Sequence, residues 1–86
     1  MRAVYKYPLA VGHQKISAPK NWTPRHVAEQ RRDLVLWAEV NTDLPLEEHL
    51  VSVYGTGVDL CGESKGYVGT ILTHDDSTYV WHVYTD

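Results

Sequence analysis

Residues 23–40, TPRHVAEQRRDLVLWAEV, admit two folds. Thr23 belongs to the residue types that cap helices, and Pro24 suits a first helical position. A helix that buries Val27, Leu34 and Ala38, however, must also bury Arg31, so its apolar stripe is broken. The competing reading is a β-hairpin: a strand over Arg25–Gln30, a turn at Arg31-Arg32-Asp33, and a strand over Leu34–Val40. LVLWAEV has the β-branched and aromatic content of a central strand. The hairpin is favoured, and the helix is the alternative.

Working outward, strands recur on both sides. AVYKYPL (Ala3–Leu9) alternates in polarity around Lys6 and carries Pro8, which suits an outer strand. Gly12 and His13 turn the chain into a short second strand, QKIS, stopped by APKNWTP. Beyond the hairpin, NTDLP is a loop, and EHLVSVYG is a strand with Leu50, Ser52 and Tyr54 on one face and Val51 and Val53 on the other. YVGTILT and YVWHVYT then flank a turn at HDDS (His74–Ser77). In the last strand both faces are apolar or aromatic, which predicts a central strand covered on both sides. Six or seven short, mainly antiparallel strands predict an all-β chain: one compact barrel or sandwich domain over residues 1–86.

Five of the six glycines lie between Ser52 and Gly69, beginning with Gly55-Thr56-Gly57. A dinucleotide fingerprint needs a third glycine three residues on and a following helix, but Leu60 stands there. A phosphate-binding Walker loop needs Gly-Lys-Ser/Thr, which does not occur. The glycines are therefore read as positive-φ residues that end one strand and shape a wide loop.

The 86 residues bury only about 60 to 65% of the surface their unfolded chain exposes, which leaves little room for an enclosed substrate cavity. Homodimerisation is a ready way to add buried area. The single cysteine, Cys61, excludes an internal disulfide and a Cys-rich zinc site, and fits a reducing cytoplasm. No apolar run reaches membrane-span length, and MRAVYKYPLAVG is too polar and short for a signal peptide, so a soluble, intracellular protein is expected.

Net charge is −3, unevenly spread: residues 1–32 hold seven Lys/Arg and one acid, Glu29, whereas residues 33–86 hold Lys65 and ten acids. Pairing of basic and acidic strands across a sheet is the favoured account, since facing opposite charges are mildly stabilising. A bipolar molecule is the sharper alternative.

Chemistry is sparse. His13, His26, His49, His74 and His82 lack the paired short spacing of a zinc site, and His74-Asp75-Asp76 reads as a solvated turn; no metal and no cofactor are expected. His82, between Val80 and Tyr84, is read as a hydrogen-bonded core or interface histidine. Cys61 has no basic neighbour in VDLCGES to favour its thiolate, so no catalytic residue is assigned and the chain is not expected to be an enzyme.

Aromatics carry the stronger signal. Nine Trp/Tyr and no Phe favour rings with a polar edge, as found at interfaces and on base-stacking platforms. Tyr5 and Tyr7 share a face, Trp22 lies among Lys20 and Arg25, and Arg31 and Arg32 crown the hairpin. Trp37 and Trp81 are read as core fillers. Lys6, Lys15, Lys20, Arg25, Arg31, Arg32 and Trp22 together describe a nucleic-acid-binding barrel as second choice.

VYKYPL, ISAPK, LWAEV, VYGTG and YVGTILTHDDSTYVWHVY, in that order, resemble a family of small uncharacterised bacteriophage and prophage proteins, typical of phages of actinobacteria. The resemblance spans nearly the whole chain. Read onto it, the recurrent residues are Tyr5, Lys6, Tyr7, Pro8, Trp37, Tyr54, Gly55, Thr56, Gly57, Gly69, Thr70, Trp81, His82 and Tyr84. The resemblance also implies a hairpin at residues 25–40 with a Gly-containing turn, from which Arg31-Arg32-Asp33 departs. It implies a phage origin and no defined activity.

The expectation is thus a phage-encoded, non-enzymatic binding protein in the host cell cytoplasm, acting on a host or phage protein in host takeover or counter-defence. A virion or assembly component is a further alternative. The candidate interaction surface is Tyr5, Lys6, Tyr7, Trp22, Arg31, Arg32, Glu47, Glu48, His82 and Tyr84. The acids Glu47-Glu48, Asp59, Glu63 and Asp75-Asp76 are candidates to engage a basic nucleic-acid-binding site on a partner. No membrane partner is expected.

Overall fold

The computed structural model describes residues 1–62, 64, 66–73 and 79–86. Residues 23–40 form the hairpin. β3 (Thr23–Gln30) and β4 (Asp33–Asn41) pair antiparallel with Gln30 opposite Asp33, so Arg31 and Arg32 alone form the turn. Their φ angles are 51° and 71°. Positive φ at both central residues is the requirement of the type I′ turn, whose twist matches that of the strands it joins. The turn has the geometry that glycine favours, occupied here by two arginines.

The other strands are β1 (Arg2–Leu9), β2 (Gly12–Pro19), β5 (Leu46–Gly55), β6 (Gly66–Leu72) and β7 (Val80–Thr85). They form a three-stranded sheet, β1-β4-β3, and a four-stranded sheet, β2-β5-β7-β6. Pro8 lies on β1, an outer strand with a neighbour on one side. β2 runs well beyond QKIS at both ends, and Gly12, at φ 101°, starts it. The HDDS turn lies outside the described residues.

The sheets pack as a sandwich. Leu36, Ala38 and Val40 of β4 and Val27 of β3 meet Ala18, Val51, Val53, Ile71 and Val83 from the other sheet in one core cluster. Burial of these aliphatics supplies the main stabilising term. A closed barrel, the other expected architecture, is not formed. β3 and β6 come close on one side, where a Cβ on Gly69 would sit 2.9 Å from Val27 Cγ2. Each strand carries a register irregularity in its own ladder, β3 against β4 at Pro24/His26 and β6 against β7 at Tyr67/Gly69, where a bulge bends the strand and increases its twist.

β7 is interior to its sheet, as expected, but is not covered on both sides. Val83 is fully buried on the inner face, whereas His82 and Tyr84 on the outer face are half-buried. On this outer face the loop after β5 folds back over the β2–β5 side, against His13 and Tyr54. Ser64, part of this loop, is buried and accepts a hydrogen bond from Ser52 at 3.2 Å. Gly57 has the expected positive φ of 87°. Gly62 serves a different need: a Cβ there would lie 2.5 Å from His13 Cε1 and 2.6 Å from Tyr54 Oη, so only a glycine lets the loop close down. Among the described residues no helix is long and apolar enough to cross a membrane.

Candidate functional site

One end of the sandwich collects the Ala10-Val11 corner between β1 and β2, the end of β5, and the start of β7. Between them opens a cleft of about 430 Å³ whose walls include Val11, Val53, Tyr54, Gly55, Val58 and Trp81. A Cβ on Gly55 would rest in ordinary contact with the Trp81 ring, 3.4 Å away. Tyr79, just before β7, stacks on Trp81 with centroids 5.6 Å apart and planes 12° apart. Val11, Val58 and Tyr79 are more than half exposed, as is Leu60 on the adjoining loop. Clustered apolar exposure of this kind marks binding surfaces in folded proteins.

The polar groups of the cleft wall are His13, Thr56 and Cys61. Cys61 Sγ lies 3.9 Å from His13 Nε2, and His13 Nδ1 lies 2.8 Å from Ser52 Oγ. The Gly62 amide donates to Tyr54 Oη at 3.0 Å, and Tyr54 meets the His13 ring edge-on at 5.6 Å. Beyond the loop, the outer face continues as an aromatic row, Tyr54–Tyr84–Tyr67, with centroid separations of 5.9 and 5.4 Å. His82 sits beside it, clasped by Thr56 Oγ1 at 2.9 Å and Thr70 Oγ1 at 3.1 Å.

The residues proposed from sequence as an interaction surface fall on several parts of the fold, with Lys6 and Arg31 together along one pocket. Trp22 is a core residue: it is buried, its ring stacks on buried His49 at 4.5 Å, and Tyr7 meets it edge-on at 5.5 Å. The left-handed Asn21 just before it, at φ 62°, turns the chain inward. Tyr5 and Tyr7 lie opposite Ala38 and Leu36 on the core-facing side of β1, with Tyr5 exposed and Tyr7 half-buried. Burial raises the Tyr7 pKa above its usual value, and the neighbouring Tyr5 adds to this. Lys6 is on the opposite face and donates to Gln30 Oε1 at 2.7 Å. Arg31 and Arg32 stand at the exposed turn; Glu47 and Glu48 are exposed at the start of β5, toward the other end. His82 and Tyr84 belong to the outer face of the second sheet. Trp37 is not a core filler either: it lies half-buried on the outer face of β4, 5.8 Å from the His26 ring. Trp81 does pack against the core, at the cleft.

The acids are likewise dispersed. Asp59 lies in the loop near the cleft, far along β5 from Glu47 and Glu48, while Glu63, Asp75 and Asp76 lie outside the described residues, as does the His74-Asp75-Asp76 group. Glu39 on β4 is held by both Arg2 and Arg25, the latter at 2.9 Å. These hydrogen bonds, Arg2's first and then Arg25's, keep its carboxyl below the usual range. Among the described residues no group of three or more His, Cys, Asp or Glu converges as a metal site.

Sequence reasoning missed the cleft and the Cys61–His13 contact. The two residues are far apart along the chain, so no local pattern joins them. A signal for the cleft did exist: Val58 and Leu60 are apolar residues within a glycine-rich, acidic loop that has no strand periodicity to bury them.

A family model described as Domain of unknown function (DUF7352) matches residues 1–86. No curated protein and no solved structure matches the chain.

Proposed function

Because the chain belongs to the DUF7352 family over residues 1–86, which carries no function with it, its own surface must supply the reading; we propose that it is a bacteriophage-encoded, non-enzymatic binding protein. It acts in the host cytoplasm by occupying a host or phage protein, in host takeover or counter-defence, and grips that protein through the apolar cleft. The observation that supports this is the cleft itself, about 430 Å³ in volume and rimmed by exposed Val11, Val58 and Tyr79. A pocket of that kind suits one or two apolar or aromatic anchor side chains, the groups that dominate the energetics of protein interfaces. The stacked Tyr79–Trp81 pair offers a rigid apolar wall at low entropic cost.

A tagged pull-down from infected host cells tests the proposal, run with and without nuclease for the wild type and Val58→Asp. The expected result is one or two proteins at near-stoichiometric yield, insensitive to nuclease and lost with Val58→Asp. Partners retained by the Val58→Asp variant would remove the cleft from the mechanism. Recovery that depends on nucleic acid, or of phage structural proteins alone, would replace the proposal with the nucleic-acid or virion reading.

A further inference from the structure

We propose that Cys61 is a nucleophilic thiol with His13 as its base, forming a covalent exchange site for disulfides that carry an apolar group. Cys61 Sγ faces His13 Nε2 at 3.9 Å, and Nδ1 of the same ring lies 2.8 Å from Ser52 Oγ. Ser52 spends its own proton on Ser64 Oγ at 3.2 Å, so its oxygen receives the Nδ1–H of His13. That tautomer leaves the Nε2 lone pair toward the thiol, which is the arrangement a general base needs. Three parts of the fold, β2, β5 and the loop after β5, supply the relay, and Gly62 presses against the ring from above. The arrangement therefore belongs to the folded chain and not to local sequence.

The amides near Cys61 decide which chemistry fits. The Cys61 N–H donates to Asp59 O at 3.0 Å and the Gly62 N–H to Tyr54 Oη at 3.0 Å. Neither is free for an oxyanion, so acyl transfer lacks its main stabilising element. Disulfide exchange needs no oxyanion site, because the charge stays on sulfur. His13 takes the thiol proton, the Cys61 thiolate attacks one sulfur of R–S–S–R, and the S–S bond breaks. The departing RS⁻ takes the proton back from His13. Cys61 becomes the mixed disulfide while one R–S is reduced to R–SH, so no further reagent is required. Cys61 and His13 both line the apolar cleft, where Val58 and Trp81 receive the R group. This site stands on the thiol geometry and does not depend on partner docking.

The test uses the full chain and dithiodipyridine, an uncharged aromatic disulfide, with thiopyridone release followed by absorbance and the adduct by intact mass. Hydroxyethyl disulfide is the polar comparison. The folded chain is expected to react faster than the same chain unfolded in urea, with the adduct absent in Cys61→Ser. His13→Gln is expected to slow the reaction by about tenfold or more, with free imidazole restoring the rate, which a purely structural histidine would not allow. Val58→Asn is expected to slow dithiodipyridine more than hydroxyethyl disulfide. If His13→Gln does not fold, Ser52→Ala, which releases the ring, takes its place with the same expected slowing. A folded chain no faster than the unfolded one, or a rate unchanged in these variants, would overturn the proposal.

Discussion

Two tryptophans end in environments opposite to those their local sequence suggests. Trp22 sits in a proline-flanked basic loop and looks like a surface ring, yet it is buried against His49; Trp37 sits in the most strand-like run of the chain, yet it is half exposed. What buries Trp22 is a partner strand distant in sequence and the left-handed turn at Asn21, neither of which shows in a local pattern. What exposes Trp37 is the alternation of β4, which gives one face to Leu36 and Ala38 and the other to Trp37 and Glu39. Truncating a buried Trp removes its transfer free energy and leaves a cavity that the sandwich cannot refill. Trp22→Ala is therefore expected to cost about 3–5 kcal/mol, and Trp37→Ala markedly less. Urea unfolding of both variants decides it, and equal losses would contradict the assigned environments.

At the scale of elements, the strands were legible and their joints were not. Period-two alternation and β-branched content located every described strand, because those signals arise within the strand itself. The loop after β5 was legible as a loop, but not its fold-back onto β2 and β5, which depends on Gly62 meeting His13 and Tyr54. The β3–β4 turn is instructive in another way. Two arginines at φ 51° and 71° hold a conformation that costs residues bearing a Cβ. The hairpin forms regardless, because β4 is the middle strand of its sheet and is fixed by both neighbours. Relieving the turn should thus stabilise the whole chain. Arg31→Asn combined with Arg32→Gly is expected to add about 1 kcal/mol, seen as a higher urea midpoint with an unchanged slope. A lower midpoint would mean that the arginine side chains contribute more than the backbone strain removes.

For the whole molecule, the sequence's charge asymmetry is undone by strand order. β1 and β3 lie on either side of β4, so Arg2 of β1 and Arg25 of β3 both close on Glu39, and the chain's first amino group pairs with Asp43 at 2.6 Å. Lys20 follows β2 at the end opposite the Arg31-Arg32 turn, so among the described residues it stands apart from Lys6 and Arg31, which line one pocket. With Trp22 also withdrawn into the core, a single-stranded nucleic acid meets neither a stacking platform at that position nor a basic track. Phosphate contacts release counterions, and each contributes about 0.7 to the slope of log affinity against log salt for a single strand. Six convergent cations would give a slope of about 4, whereas Lys6 with the two arginines of the turn would give about 2. Fluorescence anisotropy with a labelled single-stranded oligonucleotide, titrated across salt, is expected to show weak binding with the shallow slope. A slope approaching ~4 would mean that the basic residues act together in solution, and the interleaving of β1, β4 and β3 could not then govern how the protein presents its charge.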